Sequence, residues 1–120
     1  MNVLPKFVYW KEKLERQGFK VLTPTLVNHR ITRLRRQRIL ALKRGENRRH
    51  FDKIRRSDAI LVLNYSMGKS RNYIGGSTFG EIAVAFFLGK RIFLVNPLPR
   101  NTVFREELEA WCVRKWHAFK

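Results

Sequence analysis

Two apolar runs, Ala59-Ile60-Leu61-Val62-Leu63 and Ile92-Phe93-Leu94-Val95, set the strongest limit on how this chain can fold. A strand with one wet face alternates apolar and polar residues. A run without alternation has to be covered on both faces, the condition of a strand in a parallel sheet flanked by helices. Between the runs lie a loop rich in Asn, Ser and Gly at 64–76 and then Ile82-Ala83-Val84-Ala85-Phe86-Phe87-Leu88, apolar almost all round and followed by Gly89. A helix of this composition is expected to be buried until Gly89 stops it, with Ser77 or Thr78 capping its start. Strand, loop, helix and strand, the last spanning 91–95, make a βαβ unit. Its loop after Leu63 falls at the strand's carboxyl end, where open α/β sheets bind ligands.

The flanking segments are read in the same way. Apolar positions at helical spacing among Lys, Glu and Arg predict a helix over 5–17 ending at Gly18, and Lys20-Val21-Leu22-Thr23-Pro24 predicts a short strand that proline terminates. From Arg30 to Arg56 there are twelve Arg or Lys residues opposed by Glu46 and Asp52, and Gly45 is expected to break this stretch into two helices. A last helix is expected over about Val103 to Trp111. The length of 120 residues suits one domain, 1–120. Cys112 is the single cysteine, which excludes an internal disulfide and the Cys-based zinc patterns and fits a reducing compartment. His29, His50 and His117 show no metal-ligand spacing and read as surface or packing residues, so no metal or cofactor is expected. Trp10, Trp111 and Trp116 are expected at the domain edge or between subunits. No apolar run approaches the roughly 18 residues of a membrane span, and the N-terminus lacks signal-peptide zones, so the expectation is a cytoplasmic protein.

One stretch is more specific. Ser57-Asp58-Ala-Ile-Leu-Val-Leu-Asn64, followed by Asn72-Tyr73-Ile74-Gly75-Gly76-Ser-Thr-Phe-Gly-Glu81 and an Ala-containing helix ending in Gly89-Lys90, resembles the nucleoside 2-deoxyribosyltransferase-like family. The resemblance covers about Arg48 to Glu107, with a weaker match from Phe7 to Pro24. It implies a flavodoxin/Rossmann-like three-layer sandwich with a parallel sheet, and a glutamate nucleophile, here Glu81, that attacks the anomeric carbon of a deoxynucleoside. It also implies a homo-oligomer in which a neighbouring chain completes each site. Asp58 matches an acid that helps hold the base. Asn64, Asn72 and Tyr73 are candidates for contacts to sugar or base, Gly75 and Gly76 for backbone geometry, and Ser77, Thr78 and the helix start for a phosphate. A carboxylate near a helix N-terminus is expected to stay ionised and to form a glycosyl ester that a second base or water resolves.

Two departures stand beside the match. The family's transferases carry an aspartate six residues before the nucleophile, used in protonating the base, and that position is Gly75. They also open with a strand and loop that precede the first helix, so the first strand of the sheet is expected to be missing. A nucleotide phosphoribohydrolase of the lysine-decarboxylase-like type, with its Gly-Gly-x-Gly-Thr-x-x-Glu loop, is similar to Gly75–Glu81 but one residue out of step.

The function expected from this resemblance is transfer or hydrolysis at the N-glycosidic bond of a deoxynucleoside or its 5′-monophosphate. The alternative is a non-catalytic nucleotide-binding module. A third reading comes from charge. The 26 Lys and Arg against 9 Asp and Glu give +17, which attracts polyanions, and Arg30–Arg56 is a possible nucleic-acid surface, although no aromatic residue is interleaved between Arg30 and Arg49.

Overall fold

A computed structural model of the chain describes residues 4–24 and 35–117. The elements run α1 (Leu4–Arg16), α2 (Arg36–Arg55), β1 (Ala59–Val62), α3 (Gly76–Phe87), β2 (Arg91–Leu94), α4 (Arg105–Ala110) and β3 (Arg114–Lys115). The strands form one parallel sheet in the order β1-β2-β3, with Ile60 opposite Ile92, Val62 opposite Leu94 and Phe93 opposite Arg114. The fold is therefore a small α/β domain with helices packed on a three-stranded parallel sheet, as the two apolar runs require.

The core lies where the sheet meets α2 and α3. Val62, Ile92 and Leu94 from the strands bury against Ile82 and Ala85 of α3, Ile54 of α2, and Leu108 and Val113 farther along. An aromatic stack ties α3 to the α4 region: Phe79 lies parallel to Phe104 at 4.0 Å, and Trp111 stacks on Phe79 at 5.4 Å and on Phe86 at 5.1 Å. Trp116 meets Phe93 and Phe19 edge-on, and Trp10 donates from Nε1 to the Tyr65 hydroxyl at 2.8 Å. The three tryptophans thus pack within the chain.

Both glycine stops behave as anticipated. Gly18 (φ +96°) and Gly89 (φ +71°) take the left-handed conformation just past α1 and α3. In each case the next amide returns to the last turn, Phe19 N–H to the Leu14 carbonyl at 3.1 Å and Lys90 N–H to the Ala85 carbonyl at 2.8 Å. Cys112 does the same for α4 at φ +57°, without glycine's freedom from Cβ strain.

Several expectations need correction. Lys20–Pro24 is not a strand: within the described residues its backbone enters no ladder, β1 pairs only with β2, and a strand without a neighbour has no bonds to stabilise it. Gly45 does not break the basic stretch. A helical glycine costs about 1 kcal/mol, and the inward spine of Ile39, Leu42, Glu46, His50 and Ile54 crosses it at intervals of three and four residues, so α2 runs through. The Arg30–Leu34 part of the basic stretch, like His29, lies outside the described residues. Neither Ser77 nor Thr78 caps α3. The helix starts earlier, at Gly76, with the Gly75 carbonyl accepting from Phe79 N–H at 2.9 Å, which leaves both hydroxyls inside the first turn. Nor is α3 buried to its end, since Phe86, Phe87 and Leu88 are exposed. The last helix is shorter than expected, and β3 follows it. The residues Arg114-Lys115 carry no apolar signal because both side chains are exposed; their backbone pairing, with Trp116 N–H donating to the Leu94 carbonyl at 2.7 Å, makes the strand.

Candidate functional site

The loop between β1 and α3 is built by side-chain bonds as much as by backbone. Asn64, fully buried at the end of β1, accepts from Asn96 N–H at 2.8 Å through Oδ1 and donates from Nδ2 to the Asn96 and Pro97 carbonyls at 3.0 and 3.2 Å. Asn96 returns a bond from its own Nδ2 to the Asn64 carbonyl at 3.2 Å. This locks together the carboxyl ends of β1 and β2, and it engages the Asn64 amide in the scaffold. Past a tight turn at Met67–Ser70, Asn72 takes φ +54°, a conformation Asn tolerates, and its N–H donates to Ser66 Oγ at 3.2 Å. Tyr73 N–H then donates to the Tyr65 carbonyl at 3.2 Å, bringing the chain back beside the strand end.

The Tyr73 ring lies over Gly75. A Cβ built on Gly75 would stand 3.3 Å from both Cε1 and the hydroxyl oxygen of Tyr73, so the space a side chain would use at this position is taken by the tyrosine. Gly75 is needed for close approach, because its backbone is extended at φ −83° and not left-handed. Gly76 has open space around it.

Glu81 sits in the second turn of α3, about 9 Å along the axis from Gly75 at 1.5 Å per residue. Its side chain points to α2, where His50 Nδ1 lies 3.3 Å from Oε1; with Nδ1 protonated, His50 donates. Both side chains are largely buried, His50 at 10% and Glu81 at 23% exposure. Beside this contact the ring of Phe51 lies 3.8 Å from where a Cβ on Gly80 would be, an ordinary van der Waals distance. Burial pushes the Glu81 carboxyl above the ordinary carboxylate value, and the hydrogen bond and charge of His50 pull against that rise. The helix dipole acts within the first turn and Glu81 lies beyond it, so desolvation outweighs the help expected from the helix N-terminus and the carboxyl holds its proton more tightly than a solvated one.

Of the residues singled out from sequence, the structure groups Asn72, Tyr73, Gly75, Gly76, Ser77 and Thr78 around the start of α3, one to two turns ahead of Glu81. It does not bring Asp58 there. Asp58 is exposed at the amino end of β1, with its carbonyl accepting from Arg91 N–H at 3.4 Å. The strand's four residues carry the chain about 13 Å away, at about 3.3 Å each, before the loop begins. His50 is the residue that sequence reading passed over. It lies 31 positions from Glu81, and only the packing of α2 on α3 joins them.

Among the described residues, no group of three His, Cys, Asp or Glu side chains could hold a metal ion, and no helix is long and apolar enough to cross a membrane. A shallow groove of about 440 Å³ runs along α1, lined by Val8, Lys11, Glu12, Glu15 and Arg16, none of which belongs to the Glu81 neighbourhood. In comparisons with known proteins, no family model, no curated protein and no solved structure matches the chain.

Proposed function

We propose that the chain cleaves or transfers at the N-glycosidic bond of a deoxynucleoside or its 5′-monophosphate, with Glu81 as the nucleophile. The observation that carries this reading is the seating of Glu81: a desolvated carboxylate one turn beyond a glycine-rich loop at the carboxyl end of a parallel strand, held by His50 at 3.3 Å. A desolvated carboxylate is a stronger nucleophile than a hydrated one, and a hydrogen-bonded imidazole fixes its direction.

In the proposed reaction, a Glu81 oxygen attacks C1′ and the C1′–N bond breaks. The electron pair goes to the base nitrogen, which gains a proton from solvent water. The resulting glycosyl ester is then attacked at C1′ by a second base or by water, which loses a proton and frees the Glu81 carboxylate. His50 acts as a positioning residue. The Tyr73 hydroxyl, occupying the space beside Gly75, is assigned to the base as a hydrogen-bond donor. Asp58, at the far end of the strand, has no part in this scheme. A cytoplasmic, reducing setting, and a homo-oligomer that covers exposed apolar residues such as Phe87 (85% exposed), belong to the same proposal.

The test is release of free base from a panel of deoxynucleosides and their 5′-monophosphates. Base release by the wild type, reduced at least about a thousand-fold in Glu81→Gln, is the expected result. No release from any compound, with a nucleotide still raising the melting temperature, would instead select a non-catalytic nucleotide-binding module.

A further inference from the structure

Continuity of α2 turns a basic stretch of sequence into a defined surface. At 100° per residue, Arg44, Arg48 and Arg55 fall on one line along the helix, and Arg38, Arg49 and Arg56 on a second line about a quarter-turn away. All six side chains are exposed. From Arg38 to Arg56 the rows extend about 27 Å at 1.5 Å per residue. The acid exposed on α2 is Asp52, between the rows, where Arg55 Nη2 at 2.5 Å and Arg56 Nε at 3.2 Å hold it. The opposite side of α2 is committed to the core through Ile54 and to Glu81 through His50.

We propose that this outward face docks along the major groove of duplex DNA, with one arginine row on the phosphates of each strand. A helix about 10–12 Å across fits a groove about 12 Å wide, whereas the major groove of duplex RNA is too narrow to admit it. Single-stranded nucleic acid is bound through aromatic platforms, and the one aromatic residue of α2, Phe51, turns inward against Gly80. The contact is to phosphates, so binding is sequence-independent and strongly salt-dependent.

A chain of +17 attracts any polyanion, so the experiment has to separate this face from total charge. Fluorescence anisotropy with a labelled 20-base-pair DNA duplex of mixed sequence, over a series of salt concentrations, compares three proteins. These are the wild type, the variant Arg44→Gln/Arg48→Gln/Arg55→Gln, and the charge-matched control Arg91→Gln/Arg100→Gln/Arg114→Gln, altered at exposed positions away from α2. Circular dichroism melting confirms that all three fold. The α2 variant is expected to bind at least about ten-fold more weakly, with the slope of log K against log salt shallower by about 3, close to one unit per lost phosphate contact. The control is expected to retain most of the wild-type affinity and slope. Equal losses in the two variants, or tighter wild-type binding to single-stranded DNA, duplex RNA or anionic phosphatidylserine vesicles than to the duplex, would overturn the proposal. Glu81→Gln is expected to bind the duplex like the wild type, so failure of the enzymatic reading leaves this one standing.

Discussion

The inward and outward sides of α2 obey different physics although they alternate along the same twenty residues. Inward, Ile54 is 6% exposed and packs with Ile82 and Val62, while His50 meets Glu81. Each group there has neighbours that cannot move without cost, and charge is desolvated. Outward, Arg44, Arg48 and Arg49 stand in solvent, where an added or removed charge is screened within about 8–10 Å at ordinary ionic strength. The inward side therefore determines stability and the chemistry of Glu81. The outward side contributes long-range attraction and little to folding.

Substitutions on the two sides should separate these roles. Ile54→Ala is expected to cost about 2–5 kcal/mol in denaturant unfolding through lost burial and the cavity left behind. A cost below about 1 kcal/mol would mean that α2 is not part of the core.

Next in size is a pH-dependent effect at Glu81. Its carboxyl is raised above 4.5 in the folded protein, so the folded state binds that proton more tightly than the unfolded state does. The associated stability is fully present below the unfolded value and is lost as pH rises through the folded one. Unfolding of the wild type against Glu81→Gln is therefore expected to show the wild type losing relative stability as pH rises from about 4 toward neutrality. A difference constant with pH would break the claim that Glu81 is desolvated.

Gly45→Ala is expected to stabilise by about 0.5–1 kcal/mol, since α2 is helical there. The new Cβ would lie 3.3 Å from an Arg49 guanidinium nitrogen, the far end of a flexible side chain that can shift. Destabilisation would indicate that the helix bends at Gly45. The smallest effect belongs outside: Arg48→Ala is expected to change stability by less than about 0.5 kcal/mol in the same assay.

The βαβ unit was legible in the sequence because its signals are local. Unbroken apolar runs report strands of a parallel sheet, although only Val62, Ile92 and Leu94 are buried and Ile60, Leu61 and Phe93 are half-buried, and Gly18 and Gly89 report left-handed helix ends. Glu81 stood out through its spacing from Gly75 and Gly76. What could not be read depended on contacts between distant segments. The continuity of α2 through Gly45 follows from its inward spine packing on α3, and local propensity alone argues the other way. β3 is made of two exposed basic residues whose only strand character is backbone pairing to β2. Asn64 was legible as a polar loop residue but not as the clamp between two strand ends, a role that needs Asn96 opposite it. His50 and Glu81 are joined by tertiary packing alone, and the same packing raises the carboxyl's affinity for a proton where the helix terminus by itself would lower it.

The central claim is that the carboxylate of Glu81, seated against α2, becomes covalently bonded to the sugar. Intact-mass spectrometry of the protein quenched during turnover of a deoxynucleoside or its 5′-monophosphate tests it most directly. A mass gain of one deoxyribosyl unit, or its 5′-phosphate, mapping to the peptide that contains Glu81 and absent in Glu81→Gln, is the expected result. Base release that proceeds without such an adduct and persists in Glu81→Gln would contradict it.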